Sequence, residues 1–302
     1  MNIKSIGLIG YGELGKIFSA GLKDKRGVAT MSVWDLTLAN SVMQEAKLAH
    51  AVTAQSSMQT LCEASDLVIS AVTASSPLAL AQEVAKFIRP GAILWTLILP
   101  RLVPKQQCAA LVEAVGAHYV EAGVMTSVPP YGIGVPMLLG GSWAAELAPL
   151  LADWGMDAKA VSDRLGVANA IKMCRSTLIK GLEALVIERY ATTRAHGVEG
   201  QVLPTLRKTF PGIDWSEQGA YFFSRVVQHG QRRAEEMREA ANTLRKAGFE
   251  PLMAGRHCQQ TAVGGRSGPG RCVRRYAKGW LMAGLCRQSA GCAQTMLKTD
   301  CR

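Results

Sequence analysis

The residues with the plainest chemical content lie near the start of the chain. The stretch GLIGYGELG, Gly7 to Gly15, contains GxGxxG directly after an apolar run, Ile3–Ile9, and directly before a helical pattern, Leu14–Lys23. Gly10 suits a tight turn, Gly12 lets a pyrophosphate approach the backbone, and Gly15 lets the helix pack closely on the strand. The helix N-terminus then offers unpaired N–H groups to phosphate oxygens. Asp35 closes a second run, Thr30–Trp34, 20 residues beyond Gly15. A carboxylate there can accept both ribose hydroxyls and would repel a 2′-phosphate, which favours NAD over NADP. The expected cofactor contacts are Gly10, Tyr11, Gly12, Glu13, Leu14, Gly15 and Asp35, with Val72 and Thr73 at the end of the run Leu67–Val72.

A second chemical stretch is GVANAIKMCRSTLIKGLE, Gly166 to Glu183. At about 100° per residue, Lys172, Ser176, Lys180 and Glu183 share a narrow arc on an otherwise apolar helix. A lysine held against a low-dielectric surface has its charged form disfavoured, which suits it to exchange a proton with a hydroxyl. The pattern equally admits a solvated face with a Lys180–Glu183 pair. Farther on, Arg225, His229 and Arg232 recur on one helical face, with Arg233 adjacent. They read either as a clamp for a carboxylate or phosphate or as a surface face paired with Glu235, Glu236 and Glu239. His50, His118 and His196 have no partners at ligand spacing, so no metal site is expected.

Positioning these groups requires a scaffold, and the hydrophobic pattern supplies one. Apolar runs at Ile3–Ile9, Thr30–Trp34, Leu67–Val72, Ala92–Trp95, Tyr119–Val124 and Val135–Leu139 alternate with helical stretches such as Leu14–Lys23, Ala39–His50 and Leu78–Ile88. Alternation of this kind predicts a doubly wound α/β domain over residues 1–163. A long helix from Gly166 to about Tyr190 then opens an all-helical domain, residues 164–254, whose helices are expected to form a homodimer interface. With 302 residues and 48% hydrophobic content, the chain has material for two cores. No run reads as a signal peptide or membrane span, so a cytoplasmic protein is expected. The formal charge of +11 is concentrated in residues 255–302, where nine Lys/Arg face one acid; only +3 remains for the body, which argues against a nucleic-acid partner. Five of the eight cysteines lie in that tail without metal-binding spacing, while Cys62, Cys108 and Cys174 fit buried patterns.

The glycine loop, Asp35 and GVANAIKMCRS together resemble the β-hydroxyacid dehydrogenase superfamily, which contains 6-phosphogluconate and 3-hydroxyisobutyrate dehydrogenases. The blocks VEAGVMTSVPPYGIGVPMLLGG, KMCRSTLIKGLEAL and HGQRRAEEMREAANTLRKAGFEP resemble its bacterial branch with a separate helical C-terminal domain. The resemblance implies an NAD(P)-dependent dehydrogenase acting on the CH–OH group of a small anionic hydroxy acid, with Lys172 as catalytic acid/base. Arg175 and Ser176 replace the superfamily's asparagine pair, and Ser176 is the residue expected to orient substrate. The usual substrate loop, DxPVSGG, is replaced by EAGVMTS, which makes Met125, Thr126 and Ser127 its counterparts; Arg232 is carried as a further substrate contact. The alternatives are reduction of an imine on the same scaffold, and a non-catalytic or degraded dinucleotide-binding protein.

The last alternative arises from two anomalous segments. Where the branch is expected to read DLNSxSPxxK, residues 96–105 read TLILPRLVPK. Tryptophan has one codon, and reading Thr96 one base early turns it into aspartate; the codon sets then permit DLNSASPGTK. Dropping one base after Ala254 likewise permits a family-like closing helix in place of GRHCQQTAVGGRSGPGRC. Both segments thus admit a frame-shifted reading, and residues 255–302 equally admit a disordered basic tail. The chain as written lacks the expected Asn-Ser pair, its apolar segment can still complete the strand, and Pro100 and Pro104 oppose the helix that follows.

Overall fold

The computed structural model describes residues 2–36, 52–72, 77–97 and 105–255, the side chains of 77 and 227–232 excepted. The expected helix Ala39–His50, Thr73, residues 98–104, the tail from 256, and the side chains of His229 and Arg232 lie outside the described residues.

The first unit alternates strand and helix as the pattern predicts: β1 (Ser5–Ile9), α1 (Glu13–Leu22), β2 (Thr30–Trp34), β3 (Thr53–Ala54), α2 (Met58–Ala64), β4 (Leu67–Ser70), α3 (Pro77–Ala85), β5 (Ile93–Thr96), α4 (Lys105–Glu113), β6 (His118–Val124), β7 (Met137–Gly140), α5 (Ala144–Asp153) and β8 (Ala158–Ser162). They build one sheet in the order β3-β2-β1-β4-β5-β6-β7-β8. Successive residues of the central strands enter different cores, as the two-residue period requires. Leu8, Ile69 and Trp95 pack with Phe18 on one face, while Ile9, Val68 and Leu94 pack with Val84 and Val112 on the other. Helices therefore cover both sides of a mostly parallel sheet, a Rossmann-type arrangement.

One pairing departs from the expected parallel sheet. Strands β6 and β7 run antiparallel, with Val124 opposite Met137 and Glu121 opposite Gly140. The connection between them holds only a single 3₁₀ turn, Gly132–Gly134; without a crossover helix, the antiparallel partner is the natural outcome. Strand β5 also runs on into the anomalous segment. Thr96 pairs with Glu121, and the Leu97 N–H donates to the Ser70 carbonyl at 3.0 Å, so both residues complete the strand edge. The next described element, α4, begins at Lys105.

Helix α6 (Val167–Ala195) follows, then α7 (Glu199–Thr209) and α8 (Trp215–Lys246). The division between the two compact units falls after Lys172, inside α6. In the second unit Val186, Ile187 and Tyr190 pack with Trp215, Phe222 and Phe223. A Cβ at Gly219 would sit 2.2 Å from the Tyr190 ring, so only glycine lets α8 accept that ring. The Tyr190 hydroxyl donates to the Trp215 carbonyl, and Asp214 caps α8 by accepting from Ser216 and Glu217 N–H.

Candidate active site

The chain leaves β1 and enters α1 through the glycine loop, at the point where β1 and β4 lie side by side and their chains depart in opposite directions. Open α/β sheets bind ligands at such switch points. Gly10 has φ +96°, and a Cβ there would lie 2.9 Å from a Val72 methyl, so Val72 closes on the loop from the end of β4. At Gly15 a Cβ would fall 2.1 Å from the Gly10 carbonyl oxygen, which requires glycine for α1 to start where it does. Gly12 is different: a Cβ there would meet nothing within 4 Å, and no side chain caps the helix. The loop therefore presents open backbone and first-turn N–H groups, and these residues fit a dinucleotide pyrophosphate.

Around that opening the expected contacts divide into two kinds. Tyr11 and Leu14 turn inward against the core, and burial raises the Tyr11 phenol above its ordinary value, with a hydrogen bond to Ser19 opposing. Gly12 and Glu13 are exposed. Asp35 is half-buried beyond β2, and its Oδ2 accepts the Tyr11 N–H at 2.6 Å. The carboxylate thus helps to fix the loop that the ribose and pyrophosphate would meet.

The expected acid/base, Lys172, lies against β6. A Cβ built on Gly123, near the end of β6, would lie 3.0 Å from the Ala168 carbonyl oxygen and 3.7 Å from the Lys172 Cβ. The absent side chain lets the first turns of α6 lie directly on the strand, with Lys172 half-buried. Met125, Thr126 and Ser127 continue from β6, all half-buried, with the Met125 N–H donating to the Pro136 carbonyl at 2.9 Å. Because β1, β4, β5 and β6 are parallel, Gly12, Val72, Leu97 and Met125 all follow the same edge of the sheet. Ser176 follows Lys172 by one turn of α6 and is half-buried.

Three residues in this region carry no mark in the local pattern. Glu121, fully buried on β6, accepts from the Lys105 ammonium through Oε2 and from the Gly166 N–H at 2.8 Å through Oε1. Asn169, one turn before Lys172, has a buried Oδ1 with no hydrogen-bond partner among the described residues. Lys105 stands at the lysine of the expected DLNSxSPxxK and Glu121 at the aspartate of DxPVSGG, which is the only sequence signal either gives.

The rest of the polar stripe is neither solvated nor self-paired. Lys180 is buried and bonds Glu236 of α8 at 2.6 Å, and Glu183 is fully buried, gripped by both nitrogens of the Arg233 fork. A Lys180–Glu183 surface pair is therefore replaced by an ion-pair layer between α6 and α8. Burial pulls the Lys180 ammonium below its ordinary value, against the opposing field of Glu236. Arg233 is withdrawn from the proposed cationic face by the same layer. The cysteine expectation holds for two of three: Cys62 and Cys108 are buried, and burial pushes the Cys62 thiol up to about 12. Cys174 is exposed, because one residue beyond buried Met173 the helix has turned about 100°.

Comparisons with known proteins bear on this arrangement. Residues 5–162 match the family described as the NAD binding domain of 6-phosphogluconate dehydrogenase, and residues 194–260 match a domain of unknown function (DUF1932). A conserved hypothetical protein from Sinorhizobium meliloti 1021 is 31% identical, with 92% of this chain and 97% of that one covered and a TM-score of 0.72. Conserved protein MTH1747, of unknown function and described as structurally similar to 3-hydroxyacid dehydrogenases, is 26% identical, with 85% and 96% covered and a TM-score of 0.69. The 3-hydroxyisobutyrate dehydrogenase (ygbJ) from Salmonella typhimurium shares the fold at 17% identity, with 90% and 99% covered and a TM-score of 0.68.

Proposed function

The chain belongs to the β-hydroxyacid dehydrogenase superfamily, with an NAD(P)-binding first domain, and on that premise we propose that it oxidises the CH–OH group of a small anionic hydroxy acid. The observation that supports this reading is the seat of Lys172, laid on β6 at Gly123 along the sheet edge that the glycine loop also faces. The nicotinamide, when bound, supplies the hydride acceptor. Lys172, as the neutral amine, takes the hydroxyl proton. Met125, Thr126 and Ser127 border the substrate, two of them with hydroxyls, and Ser176 orients it from the next turn of α6. Arg232 is assigned to the substrate's anionic group.

Asp35 makes NAD the preferred cofactor, since a 2′-phosphate would meet its carboxylate. No helix among the described residues is long and apolar enough to cross a membrane; a cytoplasmic homodimer is part of this proposal. The test is reduction of NAD and NADP by the purified protein with a panel of hydroxy acids. Lys172→Ala is expected to lower kcat on the order of 100- to 10,000-fold, the contribution of a positioned acid/base, with NADH affinity kept. Reduction of cyclic imines by NADPH, undiminished in Lys172→Ala, would instead assign the site to imine chemistry.

A further inference from the structure

A fully buried carboxylate is an expensive way to fill space, and Glu121 has a directional use. Its Oε1 accepts the N–H of Gly166, the residue immediately before α6. Gly166 has φ +96°, and its carbonyl accepts the Ala170 N–H at 2.8 Å, so it stands at the helix N-cap. The other oxygen of Glu121 is held by the ammonium of Lys105, itself 7% exposed at the start of α4. Two residues along the same face of β6, Gly123 meets the backbone of Ala168 and the Cβ of Lys172. One strand therefore grips the helix at its N-cap and again where Lys172 sits.

We propose that Glu121, its second oxygen neutralised by Lys105, is a positioning residue whose bond to Gly166 pins the first turn of α6 to β6 and so sets the placement of Lys172 against the substrate hydroxyl. The inference rests on the reading of Lys172 as proton acceptor. It assigns no contact with substrate to Glu121. Removing one member of a buried pair strands its partner's charge, so the variants remove both. Lys105→Met with Glu121→Gln keeps an acceptor oxygen for Gly166; Lys105→Met with Glu121→Leu does not.

The first pair of substitutions is expected to keep wild-type kcat. The second lowers it on the order of 10- to 100-fold, as a displacement of about 1 Å at a reacting group does, while the NADH affinity of both stays that of wild type. A second readout needs no turnover: the titration midpoint of Lys172, followed by NMR of the reductively methylated protein and assigned with Lys172→Arg. That midpoint shifts in the second pair alone. Equal kcat and equal midpoints in the two folded variants, whether both kept or both lost, overturn the proposal. If wild-type protein oxidises no hydroxy acid, the proposed function fails, yet the midpoint comparison still decides the anchor. Should the second pair not fold by thermal unfolding, Lys105→Met with Glu121→Met takes its place with the same expected outcomes.

Discussion

A methyl group added at Gly15 would fall 2.1 Å from the Gly10 carbonyl oxygen, whereas at Gly12 it would meet nothing of the protein within 4 Å. The two positions should therefore separate folding from binding. Gly15→Ala forces α1 off its strand and is expected to cost about 1–3 kcal/mol, the usual range for overpacking. Gly12→Ala should leave the melting temperature unchanged and weaken NADH binding, because its Cβ enters the space a pyrophosphate would take. Thermal unfolding and a fluorescence titration with NADH check both; a Gly12→Ala variant that binds NADH like wild type removes the loop from the site. The tight turn at Gly10, the close packing at Gly15, the strand-end place of Asp35 and the helical place of Lys172 were readable from sequence because each is local: a turn, a strand end, a helix face. Glu121 and Lys105 were not, since they meet across two elements and neither is unusual in its own neighbourhood. Tyr11 shows the same limit at one residue, its backbone at the loop while its ring belongs to the core.

Elements are held in register here by capping contacts as well as by their cores, and Asp66, ahead of β4, is the clearest case. Its Oδ2 accepts from Lys4 N–H, Ser5 N–H and the Ser5 hydroxyl at 2.8–2.9 Å, and its Oδ1 from Arg89 at 2.8 Å. Burial works against the charge, but these donors outweigh it and hold the carboxyl below its ordinary value. A carboxylate depressed in the fold contributes stability above its unfolded pKa, about 3.9, and loses that contribution as pH falls through the folded value. Asp66→Asn should thus lower the melting temperature at neutral pH, with the difference from wild type narrowing as pH falls below about 4. A difference constant across that range would show that charge plays no part in the tie. The sequence pattern located the strands with strong apolar runs and missed others for physical reasons. Strand β3 has two residues, and β8 reads AKAVS with three exposed positions in succession, so neither shows the alternation that marks a half-buried strand. Helix α2 is seven residues long and is declared by its Ser57–Thr60 capping box more than by periodicity.

At the scale of the whole molecule, the hydrophobic pattern separates an α/β part from a helical part; one family match spans residues 5–162 and another residues 194–260, and the two compact units divide after Lys172. The second match ends close to residue 255, where amphipathic periodicity stops in the sequence. Between the matches runs most of α6, 29 residues or about 44 Å of helix. Its exposed side bears Ile171, Leu178 and Leu185, the last two 71% and 52% exposed. Residues seven apart drift only about 20° around a helix, so these three form one apolar stripe. Single exposed leucines are ordinary, but three in line on the helix that joins the two matched regions suit a partner helix. A second copy of the chain is the partner expected, with α6 meeting its own counterpart. The double variant Leu178→Glu/Leu185→Glu places carboxylates across that seam, where like charges would face each other. Light scattering after gel filtration should give half the wild-type mass, with the NADH affinity of the glycine loop kept. A wild-type chain that elutes as a monomer, or a double variant that remains dimeric, would remove this stripe as the interface and leave it an exposed apolar face of α6.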